Sequence, residues 1–531
     1  MRFSKVGTLS TWWVFSTAML SGLYRPQPAT VATIWDAPYL QTHHTYFTMK
    51  IFCFTIIWLL LFGNSFAQIK QDEIVVIYTD SILNNFSSKP IGINMDYFMD
   101  DDNYLKPRIS TAEALKKMGV KYLRYPGGNK SDFYFFSTPP YQKSRPTLAR
   151  TGRDAVGGRY TTLNASCTDF KEDPLDFDEF MTLCKSIGAE PVIVVAADEY
   201  LKKYTAGSTW STREQLITHA KEWVRYANIK KKYAIKYWMI GNESWHESNP
   251  NSSAGIYAQD VKDFSIAMKG VDPSIRIVPN GNSQAWWDTL FNIANGYFNA
   301  ISISNYTVYN YTNGFKTYKD SLHNFVANVD IAKDAISKYI PAEKQKDFKI
   351  IVAEYGPFDW TNKWPHLNNM GLAMANFEIT GQQLMEPKID FSCFWNTRWI
   401  NNATKNEAYD ALDRNGNINA IGMSLYIWAN NIGNCMIKTN SNNPLKTFAS
   451  IDSASKKLFL YVINKSNNKE KIIASFVGLK KFTPLSYISL EGKSPEDTQP
   501  VLTESKTIDS DDTGISLNAT SITVITYTFN N

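Results

Sequence analysis

Histidine and cysteine are scarce in this chain of 531 residues, at 6 and 5 copies. The histidines form no His-Glu-x-x-His pattern, so a zinc hydrolase of that type has no ligands. Cys53, Cys167, Cys184, Cys393 and Cys435 contain no Cys-x-x-Cys pair, which argues against a zinc or thiol-redox site. Gly-x-Ser-x-Gly is missing, and with it the nucleophile turn of an α/β-hydrolase. Lys/Arg-rich tracts are missing too. Of the net charge of +5, three charges belong to the first 67 residues, where Arg2, Lys5, Arg25 and Lys50 face only Asp36. The remainder is too small and too dispersed for nucleic acid or an anionic membrane. The apolar run Ile51–Phe62 falls short of the roughly 20 residues that a transmembrane helix needs.

That run has a different use. Met49-Lys50 precedes it, and Ser65 and Ala67 sit at the −3 and −1 positions before Gln68. A short basic start, an apolar centre and small residues at the end predict a secretory signal peptide over 49–67. The mature protein is then extracellular or periplasmic, with no membrane attachment after signal removal. Residues 1–48 have no helical period and carry no fold; Met49 is the expected true start. Secretion leaves Cys167, Cys184, Cys393 and Cys435, which permit either disulfides or buried free thiols.

From Pro90 the chain alternates short apolar strands with amphipathic helices. The strands are Ile91–Tyr97, Lys121–Tyr125, Glu190–Ala197, Ile235–Gly241, Ser274–Pro279, Asn299–Ser304, Lys349–Ala353 and Ile389–Phe394. The helices between them span 110–119, 174–187, 211–230, 255–270, 284–294, 318–339 and 366–384, and one over 418–432 follows strand eight. Eight such units with no glycine-rich phosphate turn after the first predict a (β/α)8 TIM barrel over 90–437 in preference to an open doubly wound sheet. Beyond it, Leu458–Ile463, Lys471–Phe476, Leu485–Leu490 and Ser521–Thr528 are short strands with polar turns and no helices. They predict a C-terminal antiparallel β-sandwich over 438–531, joined by an N-terminal strand from within 68–89.

A barrel carries its chemistry at the C-terminal ends of its strands. The residues expected there are Asp96, Arg124, Asn129, Asn242, Glu243, Tyr306, Glu354 and Trp395, with Trp245 just beyond. Strand four ends in Gly241-Asn-Glu243 and strand seven in Ala353-Glu354. Two carboxyls facing each other across a barrel mouth suit glycoside hydrolysis, where one protonates the leaving oxygen and the other attacks carbon or activates water. In a retaining enzyme they stand about 5–5.5 Å apart. Asn242 is placed to donate to a sugar 2-hydroxyl, and Arg124 to keep a carboxylate ionised. Gly127-Gly128 let the backbone turn close to a ligand. Aromatics make up 14% of the chain, and those at strand ends are candidate sugar platforms. The long segment 129–173 forms one wall of the cleft. No metal or other cofactor is implied.

Leu123-Arg-Tyr-Pro-Gly-Gly-Asn129, Tyr237-Trp-Met-Ile-Gly-Asn-Glu-Ser-Trp245 and Ile351-Val-Ala-Glu-Tyr355 resemble the α-L-arabinofuranosidases of glycoside hydrolase family 51 and their clan A relatives. The resemblance runs over most of 90–530. It implies that Glu243 is the acid/base, Glu354 the nucleophile of a double displacement, and Asp96, Asn129, Asn242 and Tyr306 sugar-binding positions on a polysaccharide or oligosaccharide substrate. The chain departs from the family at Ala353 and Tyr355 around the nucleophile, at Ser304-Asn305-Tyr306, and at Asp96, where Glu is usual. Other clan A activities (endo-glycanase, agarase or uronidase) share the Gly-Asn-Glu run. A non-catalytic carbohydrate-binding protein is a further reading, against which both Glu are intact.

Overall fold

The computed structural model describes residues 73–530 apart from 98–99, 149–173, 202–210, 247–248, 250, 307–310, 312, 359–363, 365–366, 399–409, 443, 479–480, 506–509 and 512–513. The expected leader and signal peptide, most of the 129–173 segment and Cys167 lie outside the described residues.

Eight parallel strands form a ring. In ring order they are strand five (Arg276–Pro279), four (Tyr237–Ile240), three (Glu190–Val195), two (Tyr122–Tyr125), one (Ile91–Asn94), eight (Ile389–Phe394), seven (Lys349–Tyr355) and six (Ala300–Asn305). A bridge between Asn280 and Ser302 closes strands five and six. The inward side chains follow the two-residue period of a strand. Tyr122, Val192, Val194, Tyr237, Met239, Val278, Ile351, Ala353, Phe391 and Cys393 share one interior cluster. Tyr122 stacks on Phe391 at 3.9 Å between ring centroids. The interior is therefore filled below the mouth.

Local signals place the helices. Ser110 accepts from Glu113 N, and Gly119 ends the helix Thr111–Met118 at φ 82°. Asp176 with Glu179 and Thr212 with Gln215 form capping boxes on Phe177–Ile187 and Arg213–Val224. The expected helix 318–339 is in fact two, Phe315–Asp320 and Ala327–Tyr339. Gln382 causes the break: it accepts from Phe325 N at 2.9 Å and donates to His323 O at 2.9 Å. Backbone groups that a continuous helix would pair internally are thus paired from outside. The helix expected over 211–230 passes into a π-helical turn at Arg225–Lys230.

Apart from a small antiparallel pair, Tyr134–Phe135 with Thr147–Leu148, the remaining strands make one ten-stranded sheet, antiparallel except where Glu73–Asn85 runs parallel to Glu470–Val477. The N-terminal strand joins it as expected and is longer than the alternating stretch. Its other neighbour, Cys435–Asn440, already starts within the expected barrel segment. Val75 and Ile77 share a core with Leu458, Leu460, Ile525 and Tyr527 from distant strands, so the sheet folds upon itself as a sandwich does. It packs on the barrel through Phe448, which fills the space that a side chain at Gly381 would need. Trp428 lies 4.1 Å from Tyr461, ring to ring. Beside them a buried ion pair, Lys465–Glu378 at 2.7 Å, crosses between the two parts. Cys184, Cys393 and Cys435 are free thiols.

Candidate active site

Strand four stops because Gly241 turns at φ 67° and Glu243 at φ 45°. A Cβ at position 241 would stand 2.7 Å from Ser244 Oγ, so the turn requires glycine. Three neighbours hold the turn. Ser244 N donates to Asn280 Oδ1 at 2.9 Å, and Ser244 Oγ to Asp198 Oδ2 at 2.7 Å. Asn249 Nδ2 donates to the Glu243 carbonyl at 3.1 Å. Left-handed backbone at a non-glycine residue is costly, and this set of bonds offsets the cost. Glu243 itself stays part-exposed at the barrel mouth.

Strand seven delivers Glu354 by a different device. Ile351 and Ala353 point inward, so strict alternation would send Glu354 outward to the helices. The pairing slips at Ala353 against both neighbours: Val352 pairs with Ile303 and Glu354 with Ser304, while on the other side Val352 pairs with Ser392 and Tyr355 with Phe394. This β-bulge re-aims the following side chains. Glu354 turns inward, 5% exposed. Tyr355 turns outward and shares a 3.0 Å hydrogen bond with Thr380 on the helix Met370–Met385.

Arg124, at the end of strand two, ties the two halves together. Its Nη1 donates to Glu354 Oε1 at 3.0 Å and to Asn94 Oδ1 at 2.7 Å; its Nη2 donates to Asn242 Oδ1 at 2.5 Å. Asn242 in turn donates to Asn129 Oδ1 at 3.0 Å, and Asn129 is exposed. Tyr306 donates to Glu354 Oε2 at 2.8 Å and stacks on Phe358 at 5.2 Å. Its hydroxyl is therefore engaged with the carboxylate. Gly128 lies against Trp395 and Glu354; a Cβ there would be 2.5 Å from the indole and 3.1 Å from Glu354 Oε1. Trp245, half-buried, meets His246 edge-on. Asp96 is buried in an ion pair with Lys130 and does not present an uncompensated carboxylate to the cleft.

Electrostatics separate the two carboxyls. Burial, followed by the charge of Glu243, pushes Glu354 up to about 7, against the pull of Arg124 and Tyr306. Burial also pushes Glu243 up, opposed by a hydrogen bond from Ser304 and by the charge of Arg124. Interacting carboxyls titrate as a pair. Arg124 and Tyr306 contact Glu354 directly and favour its anion, whereas Glu243 has the hydrogen bond from Ser304 and the more distant charge of Arg124. Among the described residues, no group of three or more His, Cys, Asp or Glu is arranged to hold a metal ion.

The structure thus brings Arg124, Asn129, Asn242, Glu243, Tyr306, Glu354 and Trp395 together at one end of the barrel. Sequence reasoning missed Asn94, Ser304, Ser244, Asp198, Asn280 and Lys130. A polar residue at an inward position of an apolar strand was the available signal for Asn94. The others depend on which loops meet, and no local pattern marks them.

A family model described as alpha-L-arabinofuranosidase 1 domain matches residues 114–328, which includes Arg124, Asn242 and Glu243 and stops before Glu354. The intracellular exo-α-(1→5)-L-arabinofuranosidase of Acetivibrio thermocellus is 27% identical over 293 residues, 51% of this chain and 51% of that protein. The α-L-arabinofuranosidase C of Emericella nidulans is 30% identical over 209 residues, 36% of this chain and 35% of that protein. The chain thus spans about half the length of the first of these relatives and about a third of the second. Among solved structures, the α-L-arabinofuranosidase from Thermotoga maritima superposes with a TM-score of 0.64 at 18% identity, covering 86% of this chain and 99% of that one. A Paenibacillus polymyxa xyloglucanase of family 44 gives 0.58 at 13% identity, with 86% and 100% covered. At these identities the structural likeness concerns the fold. Over the matched segments in sequence, and in fold, the chain is thus similar to α-L-arabinofuranosidases, family 51 structures among them.

Proposed function

We propose that the protein is a secreted, retaining α-L-arabinofuranosidase that releases arabinose from polysaccharide. The observation that carries this reading is the clamp of Arg124 and Tyr306 on Glu354, opposite a carboxyl, Glu243, that lacks such a clamp. In the first step Glu354 attacks the anomeric carbon while Glu243 gives its proton to the leaving oxygen, and a glycosyl ester forms. In the second, Glu243 takes a proton from water, the water oxygen attacks the same carbon, and Glu354 leaves as carboxylate. Two inversions retain the configuration. Asn129 and Asn242 supply polar contacts to the sugar, and Trp245 and Trp395 flat apolar faces.

The relatives' names support the arabinofuranoside, and the 49–67 segment supports secretion. One relative is named as intracellular, so export has its own test: the N-terminus of protein recovered outside the cytoplasm should be Gln68. For the activity, a panel of aryl glycosides and polysaccharides should show arabinose release. A 2-fluoro-arabinofuranoside should leave its label on the peptide holding Glu354. Cleavage of agar, uronides or β-glycans without arabinose release would transfer the assignment to another clan A activity. A label on any other carboxylate would overturn the nucleophile.

A further inference from the structure

We infer that Asn94 is a positioning residue for Glu354, acting on it both through Arg124 and through the backbone bulge at Ala353. The inference rests on the reading of Glu354 as the nucleophile.

Asn94 ends strand one and is 0% exposed, so it does not touch substrate. Its amide reaches past the neighbouring strand eight to strand seven. Nδ2 donates to Ala353 O at 2.9 Å, with Phe394 O at 3.2 Å and Cys393 O at 3.3 Å alongside. Ala353 is the residue where strand seven slips in register against strands six and eight. A bulge leaves its extra residue outside the ladder. A buried carbonyl left in that state costs about 1–3 kcal/mol unless something donates to it. Asn94 supplies the donor at the residue immediately before Glu354.

The other end of the same amide acts on the guanidinium. Arg124 Nη1 carries two protons; Asn94 Oδ1 accepts one at 2.7 Å and Glu354 Oε1 the other at 3.0 Å. Because a guanidinium is planar, fixing the first proton fixes the direction of the second. Asn94 therefore sets the backbone from which Glu354 projects and the cation that receives it. An apolar residue at position 94 would remove both links. Neither link contributes an atom to the reaction.

The groups that face Glu354 are Arg124 from strand two, Glu243 beyond strand four, Tyr306 after strand six and Cys393 from strand eight. Loosening Arg124 leaves the anion less stabilised among them. The test is a pH titration of glutamates labelled with carbon-13 at the side-chain carboxyl, in the full mature chain, with the Glu354 signal assigned by its loss in Glu354→Gln. In Asn94→Leu the Glu354 midpoint should rise by about one unit. On an arabinofuranoside kcat should fall about 10- to 100-fold while KM stays nearly constant. Asn94→Ser, which is smaller and admits water, serves if the leucine variant does not fold; it should move the midpoint in the same direction. A folded variant that cleaves the substrate with an unmoved Glu354 midpoint overturns the inference. A midpoint that rises in a protein cleaving no sugar of the panel leaves the positioning intact and overturns the glycosidase reading instead.

Discussion

Arg124 and Glu354 meet at 3.0 Å, with both side chains almost wholly buried. The same guanidinium also holds Asn94 and Asn242, so one planar cation sets the place of strands one, four and seven at the mouth. A buried pair of this kind is weak evidence of stability, because desolvation opposes the attraction. Its value here is directional.

Replacement of Arg124 by lysine tests that directly. An ammonium keeps the charge and loses the fork, so it cannot serve three acceptors in fixed directions. Arg124→Lys should lower kcat/KM by about 100-fold, mostly in kcat. Steady-state kinetics on the best substrate of the panel checks this. A loss below threefold would show that charge alone suffices.

The pH profile follows from the two carboxyls. The proposed mechanism requires Glu354 ionised and Glu243 protonated. Activity should rise as Glu354 loses its proton, with a midpoint displaced above the ordinary glutamate value of about 4.3 towards 7. It should fall again as Glu243 loses its own. Stability runs the other way: a folded-state pKa raised from 4.5 to about 7 means that the native state binds this proton more tightly. That contribution is full below pH 4.5 and is lost as pH rises through 7. Glu354→Gln, permanently neutral, should therefore gain stability relative to the parent between those pH values. Urea melts at several pH values measure it. A difference that does not change across that window would show that burial of Glu354 carries no net cost.

Gly128 is a packing requirement. A methyl at this position would press on Trp395 at 2.5 Å and on Glu354 Oε1 at 3.1 Å. Gly128→Ala should cost about 1–3 kcal/mol and most of the activity, because either the indole or the carboxylate must shift. Thermal melts and kinetics together check it; full activity would mean the loop moves freely.

The joint between barrel and sheet depends on Lys465 and Glu378, 4% and 3% exposed. Tyr318 donates to Glu378 at 2.9 Å and lies under the ammonium. Glu378→Ala strands a buried cation and should destabilise by about 3–5 kcal/mol. The double replacement Glu378→Leu with Lys465→Met should recover much of that loss. Chemical denaturation of the parent and the two variants checks both expectations.

The barrel was legible because period-2 and period-3.6 patterns alternate cleanly, with capping signals at Ser110, Asp176 and Thr212 marking where helices begin. Gly241-Asn242-Glu243 was legible because glycine is required where a strand turns abruptly. Local pattern also sufficed to pair the two glutamates with strand ends and to place Arg124 beside them. Four features were settled elsewhere in space. The division of 318–339 into two helices depends on Gln382, some sixty positions along the chain. The inward aim of Glu354 depends on a slip against strands six and eight, where simple alternation would have sent it outward. Asp96 lost its open carboxylate to Lys130, and Tyr306 gave its hydroxyl to Glu354. Strand and helix periods are properties of neighbours in the chain; register, ion pairing and the direction of a side chain at a bulge arise only when distant segments compete for the same hydrogen bonds.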